Sequence, residues 1–267
     1  MDIGTAKPTT AQRLGVPHHM IDIILPWEDY SVARYVTDAT KCIEDILSRG
    51  KLPVVAGGTE LYIDSLILGR EFSARGDPDL RRELQAEYDN AGGEKMLGKL
   101  REYDPESAAG LHINDKKRII RALEVYITTG KPISQHNAET KSLPPRYESI
   151  KITLTFSDRK DLYTRIEKRV ETMLDSGLLH EVQELIKMGV PQNCTAMQAI
   201  GYKEMAAAIN GEYSVADAIE KIKMESRRYA KRQLTWLRRD ENVKWLTWEK
   251  EPDFDKGLEF LENISKE

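Results

Sequence analysis

Leu52 to Ala56 (LPVVA) is apolar throughout and runs directly into Gly57-Gly58-Thr59 and a helical pattern bearing Leu61, Tyr62, Leu66 and Ile67. An unbroken apolar run bounded by glycine predicts a strand covered on both faces, the kind found in parallel sheets. Upstream, His18 to Ile24 (HHMIDII) predicts a shorter strand. Ser31 then caps a helix carrying Val32, Tyr35, Val36, Ala39, Cys42, Ile43 and Ile46, which Gly50 ends. Strand, helix, strand, helix predicts an α/β fold with a parallel sheet. A doubly wound core usually opens on a hydrophobic strand feeding a glycine-rich turn. This chain opens instead on MDIGTAKP, a Gly/Pro-punctuated loop.

The pattern changes near Gly69. Residues 77–139 predict short helices with no strand between them, two of them entered through Asp77-Pro78 and Asp104-Pro105, each an N-cap followed by proline. Asn114 is the predicted cap of a longer helix running to Gly130, and Pro144-Pro145 marks the return. Ile150 to Phe156 alternates like a strand, with Ser157 or Asp158 opening the next helix. Ser214-x-x-Asp217 is a capping-box signal; residues 242–248 predict a last strand and 253–265 a last helix. The division is an α/β core of residues 1–70 and 146–267, with a helical insertion at 71–145.

Charge is distributed unevenly. The whole chain of 267 residues carries −4, which for an evenly spread charge argues against a nucleic-acid partner. Residues 221–239 alone (KIKMESRRYAKRQLTWLRR) carry +7, leaving −11 for the other 248. At 100° per residue Arg227, Arg228, Lys231, Arg232, Thr235, Arg238 and Arg239 share one arc. Tyr229, Ala230, Gln233, Leu234, Trp236 and Leu237 share the other, so the helix is expected to pack one face and show a basic stripe on the opposite one. Phosphate backbones bind such stripes, although a solvated helix face has the same composition.

Other candidates are local. Lys117, Arg118 and Arg121 share a face opposite Ile119, Ile120, Leu123 and Tyr126, suited to phosphate or to salt-bridged surface alike. Arg165 and Arg169, one turn apart, suit a diphosphate, and pairing of Arg165 with Asp161 or Glu167 is the plain alternative. Thr59 stands at a helix N-terminus behind two glycines, where a ligand can approach backbone N–H groups, or where threonine simply caps. His18 and His19, entering the expected strand, read as core histidines rather than a general base. Asp77 and Asp79 read as a helix start rather than a metal pair.

Several classes fall away. No run of about 18 apolar residues exists to span a membrane, and the N-terminus has no apolar signal region. Cys42 and Cys194 form no CxxC pair, which predicts structural thiols in a reducing cytoplasm. The five histidines show no HExxH spacing, so no metal ligands are assigned.

As a set, MDIGTAKP (1–8), PHHMIDI (17–23), YSV (30–32), GGTELY (57–62), the block 114–134, RIEKR (165–169), QAIGYKE (198–204) and KRQLTWLRR (231–239) resemble the tRNA dimethylallyltransferases. The blocks occur in that family's order along nearly the whole chain. The resemblance implies transfer of a dimethylallyl group from dimethylallyl diphosphate to N6 of the adenosine immediately 3′ of the anticodon. It also implies a P-loop-type α/β core with a helical insertion, Mg²⁺, nucleotide (ATP) binding by analogy, a flipped-out base and a monomer on the tRNA anticodon stem-loop. Carried over, Thr59 contacts the tRNA near the reacting amine, and Arg169, with Arg165 beside it, binds the diphosphate and stabilises its charge as it leaves. Arg81, the run Lys117, Arg118, Ile119, Ile120 and Arg121, the block Gln198, Ala199, Ile200, Gly201, Tyr202 and Lys203, and Lys231, Arg232, Gln233, Thr235 and Arg238 hold the anticodon stem-loop.

In the family MDIGTAKP follows a strand, a GPTASGKT-type loop and a DSxQxY motif, and none of the three is in this sequence. That loop grips diphosphate and Mg²⁺, and the motif's Asp takes the N6 proton. Met1 is therefore expected to be an internal start, and the chain alone to be weakly active or inactive. Glu60 stands where the family often has glycine. Two other readings stay open: a non-catalytic tRNA-binding remnant and a P-loop nucleotide kinase.

Overall fold

The computed structural model describes residues 1–70 and 76–264. The chain divides into two compact units, Met1–Ile63 with Ser149–Glu267, and Asp64–Glu148. The division read from sequence sets its breaks at 70/71 and 145/146; residues 71–75, where its insertion begins, and 265–267 lie outside the described residues.

Among the described residues twelve α-helices and two strands follow in order, and five of the helices begin where the sequence places a cap. Helix α1 (Val32–Ser48) starts at Ser31, whose side chain accepts from Arg34 N, and buries Val36, Ala39 and Ile43. Helix α2 (Glu60–Ile67) follows the Gly57-Gly58-Thr59 corner. The second unit is helical: α3 (Pro78–Ala91), α4 (Gly93–Tyr103), α5 (Pro105–Ala109), α6 (Lys116–Thr129) and α7 (Ile133–Ser142). Asp77 and Asp104 cap α3 and α5 as expected. At α6 the cap position belongs to Asp115 rather than Asn114. Its carboxylate turns back to accept from His112 N at 3.0 Å, so it cannot cap the helix conventionally. Leu84, Met96, Leu100, Ile119 and Leu123 form this unit's core.

The other unit continues with β1 (Ile152–Phe156), α8 (Arg159–Asp175), α9 (Leu178–Lys187), α10 (Tyr202–Ile209), α11 (Val215–Leu237), β2 (Lys244–Trp248) and α12 (Phe254–Ile264). Strands β1 and β2 pair in parallel, Ile152 opposite Lys244 and Phe156 opposite Trp248. Val170, Leu178, Val182, Met197, Met205, Ala218 and Ile222 pack a second core from α8 to α11. The fold is thus α/β with a small parallel sheet and many helices. Among the described residues no helix is long and apolar enough to cross a membrane.

Two expected strands are not strands. Leu52 to Ala56 joins no ladder, and Leu52 and Val54 are 84% and 82% exposed. An apolar run becomes a buried strand only when neighbours pair with it, and the ladder among the described residues is β1 with β2. Residues 18–24 are bent because Met20 and Asp22 adopt φ of +62° and +55°, which interrupts any extended run. His18 and His19 are exposed, not core. Cys42 and Cys194 are free thiols, the latter directed at Pro26 O at 3.4 Å.

Candidate functional site

The glycine corner is fastened to the basic helix. Tyr229 and Gln233, four residues apart on α11, lie on one side of that helix. The Tyr229 hydroxyl donates to Gly58 O at 3.0 Å and Gln233 Nε2 donates to the same oxygen at 2.5 Å. A Cβ on residue 58 would crowd the Gln233 amide nitrogen, so any other residue there would displace that side chain from its present position. Thr59 is exposed immediately before α2, its carbonyl accepting from Tyr62 N, and its Oγ1 lies 3.4 Å from the Tyr229 oxygen. Gln233, expected among the tRNA contacts, is half-buried and engaged with Gly58.

Beside this corner α11 presents its cations. Arg228, Lys231, Arg232, Thr235, Arg238 and Arg239 are exposed. Arg227 pairs with Glu167 on α8 at 2.5 Å, Arg228 with Glu225 at 2.7 Å and Lys223 with Glu171 at 3.0 Å. Among the described residues Lys231, Arg238 and Arg239 have no acid partner, while Arg232 sits 5.8 Å from the Tyr229 ring centre. The opposite arc is less buried than its apolar residues suggest: Tyr229 is 37% exposed and Trp236 46%. The exposed Trp236 indole among cations suits an unstacked base.

Arg165 and Arg169 are both exposed on α8, and among the described residues neither pairs with an acid. The alternative pairing of Arg165 with Asp161 or Glu167 does not occur among the described residues: Glu167, two residues on, faces another side of α8 and pairs with Arg227, and Asp161 one turn back makes no ion pair with it. Two free forks one turn apart present bidentate donors to an anion.

The block 198–203 separates into surface and core. Gln198, Ala199 and Lys203 are exposed and Ile200 is half-buried, whereas Gly201 and Tyr202 are buried. The Tyr202 hydroxyl donates to Glu181 Oε1 at 2.8 Å and accepts from Gly4 N at 3.1 Å. Glu181 also accepts from Asp2 N at 2.5 Å and Ile3 N at 2.7 Å. Burial first, and then the Glu181 carboxylate, push the Tyr202 hydroxyl's pKa up, so it stays protonated and donating. Tyr202 thus holds the DIGT turn from inside and cannot present its ring to a ligand.

In the helical unit Lys117 and Arg118 are exposed, but Ile119 and Ile120 lie in the core, so their side chains support α6 rather than touch a ligand. Arg121 and Arg81 converge on Glu124, which is buried, at 2.8 and 2.9 Å, and Glu124 also accepts from Asp77 N at 3.0 Å. Burial pushes the Glu124 pKa up, but the hydrogen bonds and charges of Arg121 and Arg81 outweigh it and hold it below the ordinary glutamate value.

A sequence model of the family described as IPP transferase matches residues 1–240. The chain belongs to the IPP transferase family. A tRNA dimethylallyltransferase of Acetivibrio thermocellus is 48% identical over 265 residues, covering 99% of this chain and 83% of that protein. One from a Thermoanaerobacter species is 45% identical, covering 100% and 84%. The crystal structure of a tRNA isopentenylpyrophosphate transferase from Bacillus halodurans matches with a TM-score of 0.71 at 41% identity, covering 100% of this chain and 82% of that one. A eukaryotic dimethylallyltransferase, described as acting on tRNA, matches with a TM-score of 0.76 at 29% identity, covering 92% and 63%.

Three residues of this chain carry no clear signal in its sequence blocks. Glu124 looks like one more charge in a basic run, and its place three residues after Arg121, among apolar neighbours, is the one local sign of a buried pair. Glu181 sits in an ordinary amphipathic stretch, with nothing to show that it meets residues 2 and 3. Tyr229 falls on the arc assigned to packing. Magnesium finds no all-protein cage, because among the described residues no three His, Cys, Asp or Glu side chains are grouped to hold one.

Proposed function

We propose that this chain transfers a dimethylallyl group from dimethylallyl diphosphate to N6 of the adenosine immediately 3′ of a tRNA anticodon, with the helical unit as the insertion of a P-loop-type core. The reading is carried by the unpaired cations of α11 lying on the same helix that clamps the Gly58–Thr59 corner. A helix that both attracts phosphate and positions a hydroxyl brings a polyanion to one polar point. Lys231, Arg232, Thr235 and Arg238 hold the stem-loop backbone, with Lys203 and Gln198 on the same unit. Lys117, Arg118 and Arg81 supply backbone contacts from the helical unit. Thr59 meets the acceptor amine.

In the transfer, N6 forms a bond to C1 of the dimethylallyl chain as the C1–O bond breaks. The bonding pair leaves with the diphosphate, and N6 gives its proton to solvent water. Arg169 and Arg165 stabilise the charge that develops on the diphosphate, a role for which arginine forks suit phosphate oxygens. No carboxylate is assigned to the N6 proton, and the sequence holds no GPTASGKT-type loop. These 267 residues on their own are therefore expected to bind tRNA well and turn over slowly.

The test is incubation with dimethylallyl diphosphate and unmodified tRNA, followed by nucleoside mass spectrometry. The account expects slow formation of N6-dimethylallyladenosine, reduced further by Arg169→Ala. Fast turnover contradicts the expectation of slow transfer, and tRNA binding with no affinity for the diphosphate marks a non-catalytic binder instead.

A further inference from the structure

Gly58 O is the point on which α11 holds the corner, and the protons there can be counted. A tyrosine hydroxyl carries one proton. Tyr229 directs its proton to Gly58 O at 3.0 Å, beside Gln233 Nε2 at 2.5 Å. The remaining contact, Thr59 Oγ1 to the Tyr229 oxygen at 3.4 Å, then has one polarity: Thr59 donates and Tyr229 accepts. Threonine also has a single hydroxyl proton, so what Thr59 has left to offer a ligand is lone pairs. The distance is long for an O–H···O bond, and contacts of this kind tighten when substrate binds.

We propose that Tyr229 is a positioning residue that fixes the Thr59 hydroxyl as a hydrogen-bond acceptor, so that the corner takes a base bearing an exocyclic amine and turns away one bearing a carbonyl at the same place. An amine brings protons to the oxygen left open. A carbonyl would face it lone pair to lone pair, and a polar site left unpaired in this way discriminates strongly. Arg232 lies 5.8 Å from the Tyr229 ring centre, and Gln233 one turn on donates to the same Gly58 oxygen as the Tyr229 hydroxyl. This rests on the assignment of Thr59 to the acceptor base made above. It adds that the selectivity originates on the RNA-holding helix, in a residue that does not touch the base.

The test is binding of anticodon stem-loop RNA to the full chain, with adenosine or inosine at the acceptor position and ionic strength held fixed. The unaltered chain prefers adenosine. Tyr229→Phe, which keeps the ring and removes the hydroxyl, is expected to cut that preference by about fivefold to tenfold, the scale of one hydrogen bond. Thr59→Val cuts it equally, Thr59→Ser restores it, and the double variant is no worse than either single. The salt dependence of binding stays unchanged throughout, which separates this effect from a displaced α11. Full preference in Tyr229→Phe with loss in Thr59→Val overturns the positioning role and leaves the Thr59 assignment standing. Full preference in Thr59→Val, or no preference in the unaltered chain, overturns both.

Discussion

Helices α6 and α11 both carry runs of lysine and arginine, yet they use them differently. On α6, Arg121 turns inward to a carboxylate that is buried, and Arg81 from α3 joins it there, so part of the run holds the helical unit together. On α11, the acids of α8 and of the helix itself take Arg227, Lys223 and Arg228 near its middle, while Lys231, Arg238 and Arg239 reach its end without acid partners among the described residues. A count of basic residues weighs the two runs alike. What a phosphate meets is the charge left after internal pairing, and on that measure α11 is the stronger surface.

The largest test of this difference is Glu124→Ala. Removing one partner of a buried pair costs about 3–5 kcal/mol, and since the arginines are 45% and 34% exposed a loss of about 2–3 kcal/mol is expected in urea unfolding of the helical unit. Lys231→Ala, which breaks no pair, should stay within about 0.5 kcal/mol. Equal losses would mean that the two runs are not used differently.

A smaller effect comes from acid. Glu124 and Asp104 both titrate below their ordinary values, 4.5 and 3.8. For Asp104, burial pushes upward, but hydrogen bonds from Ser134 and Ser107 outweigh it. A depressed carboxylate stabilises the fold fully above its unfolded value and loses that contribution as pH falls through the folded one. The helical unit should therefore weaken below about pH 4. Trp27, Trp236, Trp245 and Trp248 all lie in the other unit, so circular dichroism should change before tryptophan fluorescence does. Coincident transitions at lower pH would deny these two carboxylates a special part.

How far the sequence discloses this molecule depends on the range of each interaction. Ser31, Asp77, Asp104, Asp158 and Ser214 mark helix starts that the structure reproduces, because a cap is settled within three residues. β1 and β2 are legible from alternation. The segment 52–56 is not, since an apolar run does not say whether a partner strand will meet it. The corner at Thr59 and the stripe on α11 are each visible in the sequence. Their union through Tyr229 and Gln233 spans about 170 residues and rests on side-chain directions that no spacing rule supplies. Tyr202 shows the same limit, for its hydrogen bonds to Gly4 and Glu181 take a residue of a ligand-facing block into the core.

The central claim is that α11 is the phosphate-holding surface of a chain whose net charge is −4. Its most direct measurement is the dependence of stem-loop affinity on salt, for the unaltered chain and for the Lys231→Ala, Arg238→Ala double variant. Each lost phosphate contact lowers the slope of log affinity against log salt by about 0.7–0.9. The account predicts a slope shallower by about 1.5 in the double variant, with the unfolding midpoint unmoved. An unchanged slope, with affinity intact, would contradict it.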